Sequence, residues 1–277
     1  MAAKFMISSS GATWNNTNDA IWSTSSGGGN DTTHPVAGDT VTLDAASGGG
    51  TVTVAADLAM TSITMGAFTG TLDFSANNNN ITLSSAFDGS GAGTRTLNMG
   101  NGLWTVQGFN NNTWNFTTVT NFTFNANSST LSFIPSTPTP TGPVTMLGGG
   151  KSFNIVTYSG VTNAAPFKIA GSPTIATLQF TAPGYILFTS GTTTAITNAF
   201  AWVGTSSNQF YFASDATGLS ATIAAASGST IQWAGLQRLT FTGNTVLAPN
   251  CFDLRSNAGV TITPPSTSGS GARIISG

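Results

Sequence analysis

The chain has 277 residues, a formal net charge of −2 and 6% charged residues, against roughly 25% in an average globular domain. It carries no basic stripe to neutralise phosphates, no polybasic amphipathic segment and no apolar run near the ~18–20 residues of a spanning helix, so neither nucleic acid nor a membrane is expected as a partner. Disorder is also excluded, because 39% of the residues are hydrophobic, with 18 Phe and 6 Trp, and disordered chains lack such residues.

Residues 1–38, with Trp14, Trp22 and Pro35, read as an N-terminal arm and cap. The opening Met-Ala-Ala-Lys-Phe-Met-Ile is too short an apolar stretch for a secretory signal peptide, which leads us to expect synthesis and first folding in a cytoplasm. From residue 39 to 263 one motif recurs: two apolar residues separated by one other. Val41/Leu43, Val52/Val54, Ile63/Met65, Leu72/Phe74 and Ile81/Leu83 come first. Leu97/Met99, Trp104/Val106, Trp114/Phe116, Phe122/Phe124 and Leu131/Phe133 follow, then Val144/Met146, Phe153/Ile155, Phe167/Ile169, Leu178/Phe180 and Ile186/Phe188. The series closes with Phe200/Trp202, Phe210/Phe212, Ile231/Trp233, Leu239/Phe241, Phe252/Leu254 and Val260/Ile262. A period of two puts one strand face in a core and the other in solvent. Thr, about one residue in six, suits such a pleated, half-buried surface. Glu, a strong helix former, is absent.

Between the strands lie Gly48-Gly49-Gly50, Asn77 to Asn80, Gly89-Ser90-Gly91, Asn110-Asn111-Asn112 and Gly148-Gly149-Gly150, residues that tolerate left-handed backbone angles. Short strands at 8–12-residue spacing fit either a sandwich or a coil of stacked strands. Their uniform shortness and the lack of any helical interruption favour the coil: an all-β, right-handed parallel β-helix of roughly ten turns stacked ~4.8 Å apart. A β-sandwich or jelly roll is the runner-up. Pro135, Pro138, Pro140 and Pro143 mark a loop over residues 135–143 within the solenoid domain of residues 39–263. Residues 264–277, rich in Ser and Gly, are expected to form a flexible tail.

Several stretches resemble a known group. Trp14, Trp22 and Pro35, followed by Gly38-Asp39-Thr40-Val41-Thr42-Leu43 and Thr51-Val52-Thr53-Val54, resemble the opening of repetitive right-handed β-solenoid proteins common among bacteriophage virion genes. Gly66 to Phe74, Gly93 to Gly100, Trp104-Thr105-Val106, Trp114-Asn115-Phe116, Gly148 to Phe153 and Ser227 to Ile231 fit the same pattern. Asn250 to Asp253 with Asn257 to Ile262 is similar to its closing turn. The resemblance spans nearly the whole chain and brings no catalytic residues. It implies a non-enzymatic virion structural protein, in first place a capsid decoration (cement) protein on the phage particle. A tail fibre or spike element, or a host-glycan-binding adhesion module, is the alternative. The partners it implies are the chain itself as a homotrimer, the major capsid protein or tail proteins, and host surface glycans.

No residue set calls for a catalytic, cofactor-binding or metal site. The only His is His34, with Asp31 and Asp39 nearby in sequence, and it reads as a polar loop residue of the cap. It would also have to serve as base in any Ser–His–Asp arrangement. Glycan cleavage needs two facing carboxylates. Asp39 with Asp44, or Asp73 with Asp88, are the pairs that stacked turns could bring together, although single Asp residues beside Gly, Asn or Ser are first of all turn formers. The Thr-x-Thr pairs Thr40/Thr42, Thr51/Thr53, Thr94/Thr96, Thr240/Thr242 and Thr261/Thr263 resemble pieces of an ice-binding array, but their uneven spacing and the intervening Arg95 point to ordinary β propensity. Trp104, Trp114, Tyr158, Tyr185 and Tyr211 are candidates for stacking on sugars, with core positions as the competing reading. The lone Cys251 reads as a small hydrophobe.

Overall fold

The computed structural model of the chain describes residues 1–109, 112–135, 142–160 and 166–266. Residues 136–141 of the expected Pro-rich loop and residues 267–277 of the expected tail lie outside the described residues. What is described is a parallel β-solenoid. Twenty-eight strands and one short 3-10 turn, Ala45–Ser47, make up its regular structure. A single antiparallel contact, Phe5 opposite Ser23 and Met6 opposite Trp22, stands among the described strand pairs. All other ladders are parallel, a pairing that needs a crossover between partners and that rules out the antiparallel sandwich.

The strands stack in three columns. One runs from Ala3–Met6 through Thr40–Thr42, Trp114–Asn115, Val144–Leu147, Phe167–Ala170, Tyr185–Phe188, Phe210–Ser214 and Ala234–Gln237 to Phe252–Arg255. A second begins with Ala12–Trp14, Thr51–Val54, Thr71–Asp73, Arg95–Asn98 and Phe122–Asn125. The third includes Leu103–Val106 and Thr130–Phe133 and ends with Ala201–Val203, Thr230–Gln232, Val246–Pro249 and Val260–Thr263. The first rungs of two columns therefore lie inside the stretch expected to be only an arm and cap.

Four strands are longer than the sequence suggests: Leu58–Thr64, Ile81–Asp88, Ser152–Tyr158 and Thr174–Phe180 have seven or eight residues. Each bends round a corner and serves two columns. Ser152 and Phe153 face Thr174 and Ile175, while Ile155 to Tyr158 face Thr130 to Phe133. The corner resets the alternation. Buried positions step by three across it, from Met60 to Ile63, from Phe153 to Val156 and from Ile175 to Leu178. The expected inward pair Phe153/Ile155 is thus replaced by Phe153 and Val156, with Ile155 half-buried.

Inside the three walls one apolar cluster runs unbroken from Met6 to Cys251. Its tryptophans Trp14, Trp22, Trp104, Trp114 and Trp202 are fully buried. Interior rings meet edge-on or stacked, as in Phe74–Trp104 (4.6 Å) and Trp202–Phe212 (4.8 Å) across columns, and Phe87–Trp114 (4.6 Å) between partners on neighbouring rungs, close to the ~4.8 Å spacing of strands. Coil length varies widely, from that between Ala221 and its partner Leu239 to that between Trp114 and its partner Met146. Loops at the corners absorb the difference, so the core pattern is kept while the turns are not uniform. In the Asn-rich gaps Asn78 and Asn112 have positive φ, and so do Asn121, Asn127 and Asn250 elsewhere.

Two ladders come apart. Phe122–Asn125 and the next rung of its column, Ser152–Phe153, are not paired by backbone hydrogen bonds. A cleft lined by Phe124, Asn125, Asn127, Ser152, Phe153 and Asn154 separates them. The end of Thr174–Phe180 and Ala201–Val203 part in the same way around Phe180 and Phe200. Each split holds a crowd of rings. Phe116, Phe122, Phe124 and Phe153 gather at the first, and Phe180, Trp202, Phe210 and Phe212 at the second. Side chains replace the missing ladder bonds: the Lys151 ammonium donates to Phe122 O (2.6 Å), and the Trp202 indole N–H donates to Leu178 O (3.0 Å).

Candidate functional site

The nine aspartates are the natural place to look for chemistry, and every one accepts a hydrogen bond that fastens the fold. Asp44 caps the 3-10 turn through Ala46 N–H (2.9 Å). Asp57 takes Asn80 N–H (2.8 Å) from the next coil. Asp73 and Asp88 each close a tight turn on the serine two residues on, Ser75 and Ser90. Asp253 accepts from Asn257 Nδ2 (2.6 Å). Asp39, 6% exposed, takes Ala2 N–H (2.9 Å) and Val36 N–H (3.2 Å). The two carboxylate pairs weighed from the sequence are not brought face to face: Asp73 stacks on Asn98, and Asp88 lies between Thr64 and Asn115 in its column.

His34 bonds Asp19 through Nδ1 (2.7 Å), not the Asp31 or Asp39 singled out beside it. Asp31 instead receives Thr24 N–H and Oγ1. Donation from His34 holds the Asp19 carboxyl below its usual range, and donation from Thr24 does the same for Asp31. Burial would raise Asp215, but its bonds from Lys168 (2.7 Å) and Ser190 N–H (2.7 Å) win and lower it. Among the described residues no group of three His, Cys, Asp or Glu side chains is placed to hold a metal. Burial pushes the Cys251 thiol up to about 11, far from a nucleophilic thiolate.

The threonine pairs stack only in part. Thr51, Thr71, Thr96 and Thr123 form one rank down a wall, but the rank beside it reads Thr53, Asp73, Asn98, Asn125. Asn125 Nδ2 donates to Asn98 Oδ1 (2.7 Å) there, a rung of amide ladder. Arg95, read only as an interruption of this array, is an interior residue at 1% exposure. Its guanidinium donates to the carbonyls of Gly89, Gly91, Gly93 and Thr118 and lies 4.6 Å from the centre of the Phe122 ring. Gly91 makes this possible, since a Cβ there would sit 1.8 Å from Gly66 O. Three glycines in the six residues before a lone arginine were the available signal.

Of the five aromatic candidates, Trp104, Trp114 and Tyr158 are core residues, and burial raises the Tyr158 phenol to about 12. Tyr185 and Tyr211 lie outside. They occupy the same position on successive rungs of one column, with ring centres 4.7 Å apart and planes at 64°. Tyr185 is 42% exposed. The Tyr211 hydroxyl donates to Gln237 Oε1, one rung further on. Opposite Tyr211 stands Gly235, where a Cβ would come 3.3 Å from Tyr211 Cδ2 and 2.8 Å from Leu254 Cδ1. The glycine lets both side chains lean over the strand, and Leu254, 38% exposed, extends the apolar row. Arg238 follows Gln237 at the corner with φ of 54°. This row, and the clefts of about 390 and 340 Å³ at the two ladder splits, are surface features among the described residues that the fold does not itself require. The chain matches no protein-family model, no curated protein and no solved structure.

Proposed function

We propose that the chain is a non-catalytic structural component of a bacteriophage particle, in first place a capsid decoration protein that binds the major capsid protein as a homotrimer. The observation that carries this reading is the commitment of side chains to the column itself. The apolar cluster is continuous from end to end, and the carboxylates are spent on turns and coil-to-coil bonds. Such a body is rigid because each coil is bonded to its neighbours along its walls. Its outer ranks of Thr, Ser and Asn offer hydrogen bonds without the charge that would make attachment salt-sensitive. A tail fibre or spike element is the competing role for the same body.

Quantitative mass spectrometry of purified particles separates the two. A decoration protein is expected at near-capsid stoichiometry and a tail element at a few copies per particle. Absence from particles, together with a monomer in sedimentation equilibrium, rejects both.

A further inference from the structure

The outward row at Tyr185, Tyr211, Gln237 and Arg238 has more polar capacity than its own contacts use. Gln237 accepts the Tyr211 hydroxyl through Oε1, and its Nε2 amide donors have no partner among the described residues. The Arg238 guanidinium has neither an ion pair nor a hydrogen bond among the described residues, and its Nε is buried and unmatched. A guanidinium in that condition is unusual, because its fork of donors is normally answered by a carboxylate, a phosphate or carbonyls. Arg95 in this same chain shows the normal outcome. The nearby Lys168 is already neutralised by Asp215 at 2.7 Å, while Arg255, opposite Gln237 on the next rung, adds a second positive charge to that of Arg238. Arg238 lies close enough for its charge to act on the phenols of both tyrosines.

We propose that this row is a binding subsite for a saccharide bearing a carboxylate, with the sugar ring against Tyr185 and Tyr211, Gln237 Nε2 donating to a hydroxyl or ring oxygen, and Arg238 pairing with the carboxylate. Two tilted phenol rings offer an apolar yet polar-edged platform that suits the mixed surface of a pyranose. The planar fork of Arg238 matches one carboxylate bidentately. The proposal stands apart from the particle role, since a subsite of this kind could exist whether or not the chain is found on capsids.

The test is binding of the folded full chain to trigalacturonate and sialyllactose, with lactose as the neutral control, by calorimetry. The expected result is a Kd of about 1 mM or tighter for at least one acidic probe and at least about tenfold weaker binding of lactose. Raising the salt concentration should weaken only the acidic probe. Arg238→Gln should bring the acidic probe to the level of lactose, and Tyr185→Ala should weaken both. Circular dichroism melts check that each variant is folded. Should Arg238→Gln fail to fold, Arg238→Lys keeps the charge and loses the fork, and a several-fold loss of acidic binding is then expected. Acidic probes that bind no better than lactose to the wild-type chain overturn the proposal. So does an acidic preference that Arg238→Gln, or in its place Arg238→Lys, leaves undiminished.

Discussion

The two ends of the solenoid are finished in different ways. At the N-terminal end the strand Trp22–Ser23 runs antiparallel to Ala3–Met6, and Trp14 and Trp22 pack edge to face at 5.0 Å, both fully buried. Polar groups are tied down there too. Lys4, 5% exposed, donates to Thr32 Oγ1 and Thr33 O, and Asp39 clamps Ala2 and Val36. At the C-terminal end the last strands, Phe252–Arg255 and Val260–Thr263, belong to parallel ladders with no described strand beyond them. Their inward side chains Val260 and Ile262 are only half-buried, and Leu247 and Leu254 are exposed. A parallel ladder has no internal stop signal. An antiparallel strand across the end, backed by large rings, supplies one.

The largest expected effect follows from this contrast. Trp22→Ala opens a cavity under the antiparallel strand and should cost about 3–5 kcal/mol, read as a drop in the denaturant midpoint at unchanged m-value. Asp39→Ala comes next. It strands two backbone N–H groups at a nearly buried site and should cost about 2 kcal/mol. Ile262→Ala, at the opposite end, should cost about 1 kcal/mol or less, because its side chain is half in solvent already. If Ile262→Ala proves as damaging as Trp22→Ala, the C-terminal end is as firmly closed as the other, and the asymmetry fails.

The same contrast marks where the sequence could be read. The walls were legible because their alternation is strict: Val52/Val54, Leu72/Phe74, Leu97/Met99 and Phe210/Phe212 are all buried as pairs. Tyr211 faces out for the same reason, being the residue between Phe210 and Phe212. Phe252/Leu254 carry an identical signal but lie on the outer face, with Phe252 opposite Gly235, and Val260/Ile262 face inward yet are only half-buried. Burial needs a following coil, and a period of two cannot say which coil is last. The corner strands were misread because a bend shifts the parity by one, as at Phe153 and Val156, and no residue type marks the bend. Arg95 was hidden for another reason. Its partners are carbonyls of glycines and of Thr118 in the next coil, and carbonyls belong to every residue alike. The Tyr185–Tyr211 row was half visible: both rings could be named, but Gln237 and Arg238 join them only through the register that stacks one coil on the next.

The smallest expected effect separates the ends by acid. Asp19 and Asp31 both belong to the N-terminal end, and both carboxyls sit below their usual pKa through donation from His34 and Thr24. A carboxylate with a depressed folded pKa adds stability above its unfolded value of roughly 3.9, and that contribution is lost as pH falls through the lower folded value. Acid should therefore loosen the segment around Thr24 and His34 before the distant walls. Amide hydrogen exchange followed downward from about pH 5 should show protection at Thr24 and His34 falling, relative to the amides of Ala221–Ala225, below about pH 4. Asp19→Asn should remove the pH dependence at His34 while leaving that at Thr24, because the two carboxylates serve separate amides. Exchange at His34 that stays parallel in the two proteins across this range would mean that the Asp19 bond contributes nothing to closure of this end, and that the rings of Trp14 and Trp22 hold it alone.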